Sequence, residues 1–389
     1  MVFQIPFKAS IKGFIQGILI KKSSTKYEVF FPELLDNGTI KTISRNLLAK
    51  EFDWSSGTFT DIGSYSIETA SGYSNPISFA PTIGYDFDND RILLVIGEWD
   101  GSSTYPRTTN AKLIAIDRDL SGHEVLIDDI LSLVKNAAAD ADQLRSFGHA
   151  FIHSGLGALI AGAYAGDSER SVIIVSTDGG QTWNAIRANS RYDYVQERLE
   201  PIWDGDTFLG FLTEGHGTNS HWIKTDGSIE AGAPGGLFTT EPIYDMINNK
   251  VIWIEWGSGT GDVQHVWVAD PSTPFTATDV TPSGTITDNE GNSINLATVN
   301  KLYGNIFTDG ENYKLVFVGY RGGIPESETR LIAVDLPVSS ESIYDLIVDD
   351  AGNDRFGTYP GFRPIIRAID PSAKKLIPTP ILTAIPYTG

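Results

Sequence analysis

The chain has 389 residues, 41% of them apolar, with 39 Gly, no Cys and a formal net charge of -20. The missing cysteines exclude disulfides, thiolate metal sites and thiol catalysis. The charge argues against polyanionic partners, so neither nucleic acid nor membrane insertion is expected. Abundant Gly with many Val, Ile, Thr, Tyr and Trp favours strands and tight turns.

The first apolar run, Phe14 to Ile20, is short, contains Gln16 and is followed by Lys21-Lys22. It reads as a strand, not as a signal peptide or a membrane span. Residues 13–31 have the phrasing of two strands around a turn. Residues 33–80 are poorly placed, although "TIKTI" and "GTFTDIG" have the composition of extra strands.

From there one phrase recurs. It is an apolar strand, a turn of Asp, Asn and Gly, a second apolar strand with an aromatic or charged end, a Gly-rich loop, and a third apolar strand. Its copies run Thr82 to Asp117, His149 to Asp178, Glu200 to Asp226, Glu241 to Asp270 and Gly304 to Asp335. A fourth strand follows several of them, as in "GHEVLI" (122–127), "TWNAI" (182–186) and "ESIYDLIV" (341–348). The expected units are 81–127, 147–186, 199–230, 241–280 and 301–348. Residues 128–144 are rich in Ala and Leu and are expected to form a helical insert. The segment 363–383 reads as a first and second strand, and 13–31 as a third and fourth. Together they predict a closing unit shared by both termini, which removes a free sheet edge.

The expected fold is therefore all-β: one β-propeller domain over 1–389, built of four-stranded antiparallel blades. Six blades are favoured, and seven result if 33–80 supplies another.

"STDGGQTW" (176–183) fits S-x-D-x-G-x-T-W at Ser176, Asp178, Gly180, Thr182 and Trp183. This resembles the Asp-box of sialidase-like, BNR-repeat β-propellers. Weaker echoes stand at "KTDGS" (224–228) and "ADPSTPF" (269–275). As a turn, Asp178 is placed to accept backbone N–H bonds, the glycines permit positive φ, and Trp183 is free to pack on the neighbouring blade. The resemblance implies a structural turn between third and fourth strands, away from the ligand face.

In a meander the first-to-second and third-to-fourth connections share one face. The remaining connections share the other, where propellers usually carry their sites. The ends of the second strands are rich in functional groups: Glu98-Trp99, Tyr164, Glu214 with His216, Glu255-Trp256, and Tyr320-Arg321. Aromatic rings flanked by carboxylates suit a glycan, and also a protein partner.

The resemblance to sialidases stops short of their catalytic pattern. Only Arg321 falls at such a strand end, Arg107 and Arg170 lie inside loops, and Phe362-Arg363-Pro364 is near the wrong terminus. A glycoside hydrolase of another kind needs two suitably spaced carboxylates, for which Glu98, Glu214 and Glu255 are the candidates. No cofactor is expected. "DFDNDR" (86–91) opens like a calcium loop but has Arg91 where Gly is needed, and it reads better as a turn. His149 and His153 lack a third metal ligand, and "GSGTG" (257–261) lacks a P-loop Lys. These features predict a non-enzymatic binding or structural propeller that holds a glycan or protein, with glycoside hydrolysis as the alternative. A larger assembly such as a virion or tail surface is a compatible setting.

Overall fold

The computed structural model describes residues 16–33, 44–99, 108–165, 168–187, 198–216, 219–234, 239–255, 265–287, 293–295, 299–321, 330–346 and 365–380. They form an all-β, propeller-like arrangement with two short helices. Among them no helix is long and apolar enough to cross a membrane.

Among the described residues, backbone pairing links strands into antiparallel runs of four. The first is Gln16–Lys21, Lys26–Pro32, Asn46–Asp53 and Thr58–Ser66. The second is Pro76–Asp86, Arg91–Glu98, Ala111–Asp117 and His123–Ile127. Phe151–His153, Leu156–Ala165, Ser168–Ser176 and Asn184–Arg187 make the third. Leu199–Asp204, Thr207–Thr213, Ser220–Lys224 and Ile229–Gly232 make the fourth. Thr239–Asp245, Lys250–Glu255, Val266–Ala269 and Ala277–Asp279 make the fifth, and Val299–Thr308, Tyr313–Arg321, Arg330–Asp335 and Tyr344–Leu346 the sixth. A hairpin of Ile365–Asp370 and Lys375–Ile377 follows.

Burial falls along each run, which is why the sequence reads as it does. In the second unit Arg91–Glu98 (RILLVIGE) is buried at every interior position, whereas His123–Ile127 is exposed for three residues in a row. A continuous apolar run marks a strand covered on both faces. The two faces of Arg91–Glu98 feed different clusters. Ile92, Leu94 and Ile96 join the main core around the inner strands. Leu93 and Val95 pack between the second and third units. A third cluster lies between the fifth and sixth units, with Ile252, Ile254, Ile306 and Leu315.

The inner strands of successive units touch, and two pair directly. Phe151 and Ile152 run parallel to Tyr85 and Asp86, and the Tyr85 and Phe87 amides donate to Ala150 and Ile152 carbonyls at 3.1 and 2.8 Å. That approach requires glycine at 84, because a Cβ there would stand 1.7 Å from the Ala150 carbonyl oxygen.

Three expectations are corrected. Residues 13–31 do not supply the outer half of a unit completed by the C-terminus. Gln16–Lys21 continues through Lys26–Pro32 into Asn46–Asp53 and Thr58–Ser66, so it is the inner strand of its own complete run. It meets Ile365–Asp370 in parallel, whereas strands within one run are antiparallel. The poorly placed 33–80 therefore holds the outer strands of the first unit and the helix α1, Ile67–Ser71. The insert at 128–144 is helical only over α2, Ile130–Lys135, capped by the Asp129 carboxylate on the Ser132 amide. Beyond it, Gln143–Phe147 is claimed as a strand against Leu156–Ala165. A short Ala-rich stretch gains too little from its own helix to resist that pairing.

Candidate functional site

The meander gives the molecule two unlike faces. On the turn face, between first and second strands, carboxylates bind the backbone that follows them. Asp86 accepts from the Asp88 and Asn89 amides at 3.0 and 3.1 Å. Asp245 does the same for Ile247 and Asn248, and Asp309 for Glu311 and Asn312. These Asx turns answer the Asp- and Asn-rich spacers of the repeat. The calcium-like "DFDNDR" is one of them. Its Asp88 carboxylate binds the Ser154 and Gly155 amides of the next unit at 2.9 and 2.8 Å.

The segment 176–183 is on this face too, between Ser168–Ser176 and Asn184–Arg187. Asp178 accepts from the Gln181 and Thr182 amides at 3.0 and 2.9 Å and from the Thr182 hydroxyl at 2.6 Å. Ser176 donates its hydroxyl to Asp178 at 2.7 Å and accepts from the Gly180 amide at 2.9 Å. The Thr182 hydroxyl bond leads the causes that pull the Asp178 carboxyl down to about 2. Gly179 and Gly180 have φ of 73° and 89°, as the turn chemistry requires. Trp183 packs against the cluster between the second and third units, as its turn position suggests. Its ring lies over Gly157 of its own unit, where a Cβ would come within 2.7 Å of the indole, and its Nε1 donates to the Gly180 carbonyl at 2.9 Å.

At the ends of the second strands, on the loop face, stand several of the candidate residues. Glu98 ends its strand half-buried, its amide donating to Thr108 Oγ1 and the Asn110 carbonyl, each at 3.1 Å. Trp99 follows, half-buried against the cluster between the second and third units. Glu214 comes directly after Thr207–Thr213 and is fully buried; its amide donates to the Arg198 carbonyl at 3.1 Å. Glu255 ends Lys250–Glu255, also buried, and its Oε2 accepts from Trp267 Nε1 at 3.4 Å. Gly215–His216 pairs with Thr239–Thr240, and Thr240 pairs in turn with Glu255. This ladder places Gly215–His216 and Glu255 on opposite sides of Thr239–Thr240, one strand apart. Tyr164, Tyr320 and Arg321 are at second-strand ends by backbone, opposite Glu169, Asn300 and Val299. Trp256 and Arg107 lie outside the described residues. No described pairing links Glu98, Tyr164, Tyr320 or Arg321 to the 214–255 ladder.

Below the loop face, the inner strands carry a charged cluster that sequence reasoning overlooked. Glu200 and Glu241 occupy equivalent places in Leu199–Asp204 and Thr239–Asp245, at 1% exposure each. Arg198, at 2%, donates through Nη1 to Glu241 and to the Gly304 carbonyl at 2.7 Å. The Gly304 amide donates to both Glu241 oxygens at 3.0 and 3.1 Å. Arg367 donates through Nε to Glu200 at 3.1 Å, and the Tyr244 amide reaches the other oxygen at 2.9 Å. His149 is buried beside them. Burial, reinforced by the Arg367 and Arg198 guanidiniums, holds its pKa well below the ordinary value, so it is neutral at pH 7. The signal was present in the repeated phrase Glu-Pro-Ile-(Trp/Tyr)-Asp at 200–204 and 241–245. Glu200 and Glu241 are engaged by arginines and backbone amides, so they hold inner strands to one another. His153 serves structure, between Ser154 Oγ and the Lys374 carbonyl, each at 2.8 Å. The buried Arg170 pairs with Asp140. No group of three or more metal-ligating side chains is found among the described residues.

No protein-family description and no curated protein matches the sequence. Solved structures do resemble the fold. The GH74 enzyme of Niastella koreensis superposes with a TM-score of 0.51 at 14% identity, over 95% of this chain and 52% of that one. A Trypanosoma rangeli sialidase in complex with sialic acid gives 0.44 at 12%, over 86% and 57%. An oligogalacturonate lyase of Vibrio parahaemolyticus gives 0.43 at 10%, over 84% and 76%. The chain thus spans about half the length of the GH74 enzyme, and at this identity the likeness establishes the β-propeller fold alone.

Proposed function

We propose that the protein is a six-bladed propeller that recognises a glycan through its loop face, each four-stranded run being one blade. One observation supports the reading: at the end of its strand Glu255 Oε2 accepts from Trp267 Nε1, an aromatic ring and a carboxylate side by side. The pairing of an aromatic ring with a carboxylate suits the apolar face and hydroxyls of a sugar. On this reading the 176–183 turn is an Asp-box that stiffens a blade, and no cofactor takes part. A protein partner, or a place on a virion or tail surface, is compatible with the same face.

The second reading is glycoside hydrolysis, with Glu98, Glu214 and Glu255 as candidate carboxylates. The likeness to a GH74 enzyme gives it weak support. A glycan array with the intact protein, read beside turnover of chromogenic glycosides, tests both. Binding that falls in Trp99→Ala and Glu255→Gln, without turnover, supports recognition. Turnover abolished by Glu→Gln at one of the three carboxylates supports hydrolysis. Neither binding nor turnover by wild type removes both.

A further inference from the structure

The first strands of the first three runs touch in succession, as do those of the last three, and the His153 ring of the third stands 5.5 Å from Trp203 of the fourth. In that order the third and fourth units lie opposite the junction of the sixth with the first. Segment 365–380 enters at this junction. Residues Gln16–Ile20 pair in parallel with Ile365–Ile369, and Lys21 binds Asp370 at 2.8 Å. On the other side, Thr379 and Pro380 pair with Phe307 and Thr308, and Asn305 Nδ2 donates to Thr379 Oγ1 at 3.1 Å.

The same segment also reaches the far side of the ring. Arg367 binds Glu200 of the fourth unit, with Nη2 2.8 Å from Oε2. Lys375 donates to the Gly205 carbonyl and to Asp206, also of the fourth unit. The Lys374 carbonyl is 2.8 Å from His153 Nε2 of the third, and Lys374 Nζ is 3.4 Å from Asp88 of the second. Ala368, Ile369 and Leu376 are buried, and the last two belong to the main core together with Ile18, Phe87, Phe151 and Trp203. An outer edge or a loose tail has no access to so many units at once.

We infer that the C-terminal hairpin is a plug. It runs along the inside of the ring, from the Arg367–Glu200 pair to its own turn at 371–374, closes the ring at the turn face, and ties the sixth and first units to the third and fourth opposite. A ligand then enters and leaves by the loop face only. The geometry stands whether or not the ligand is a glycan.

Peptide-resolved hydrogen exchange on the intact chain tests this. A C-terminal segment ordinarily frays first. The plug predicts that 366–370 and 375–377 exchange in the same slow class as 16–20. Exchange of the hairpin at least tenfold faster than 16–20 overturns it. In Arg367→Ala, or in the milder Lys375→Ala if the first fails to fold, protection should drop together in the hairpin, in 16–20 and in 199–204. A drop confined to 365–380 marks an appendage and contradicts the proposal.

Discussion

Removing the Arg198 guanidinium should cost about 3–5 kcal/mol of stability, the range for breaking a buried ion pair on one side. Arg198 is 2% exposed and Glu241 1%, so water does not take the place of the missing cation. In Arg198→Ala the Glu241 carboxylate keeps the Gly304 amide at 3.0 and 3.1 Å, which places the loss near the lower end. The Gly304 carbonyl loses its donor at 2.7 Å, and the vacated side-chain volume adds a cavity. Glu200 keeps Arg367, so the damage centres on the fourth, fifth and sixth units. Urea unfolding at pH 7, read at constant m-value, measures it. Adding Glu241→Gln to Arg198→Met should recover more than half, because a neutral pair of similar size leaves no buried charge. A loss below about 1 kcal/mol, the range of exposed pairs, would refute the buried cluster.

Further outcomes follow from single contacts. Gly84→Ala should cost ~3 kcal/mol or more, or prevent folding, since its Cβ meets the Ala150 carbonyl at 1.7 Å; unfolding midpoints check this. Trp203→Ala should cost about 3–5 kcal/mol, as for other buried tryptophans, because the ring is 1% exposed among Phe87, His153, Phe208 and Tyr244. Asp178 bears on pH. Its carboxyl lies at about 2 in the fold against an ordinary 3.8, so its stabilisation is present above about 4 and fades as pH falls toward 2. Asp178→Asn should therefore be less stable than wild type at pH 5 and nearly level with it near pH 2, as followed by thermal unfolding.

The all-β character of the chain from residue 82 onward was legible because the inner strands are apolar on both faces and the Asp-rich turns have a fixed chemistry. Asp86, Asp245 and Asp309 bind the backbone as their spacing suggests. The first unit was hidden for a physical reason. Thr58–Ser66 is largely exposed, so it lacks the apolar alternation that marks a half-buried strand. The parallel pairing of Gln16–Lys21 with Ile365–Asp370 was equally opaque, because a lone strand does not state its partner's direction. The Arg198–Glu241 and Arg367–Glu200 pairs were missed because each joins residues far apart in the chain. Only the repeated Glu-Pro-Ile phrase hinted that a carboxylate recurs where an inner strand begins.

The division between a ligand face and a structural turn face is tested most directly by one glycan-array measurement on wild type, Trp99→Ala, Glu255→Gln and Asp178→Asn side by side. Binding that drops in the first two variants and survives in Asp178→Asn is the predicted result. Binding lost in Asp178→Asn but retained in Trp99→Ala and Glu255→Gln would put the ligand on the opposite face and contradict the account.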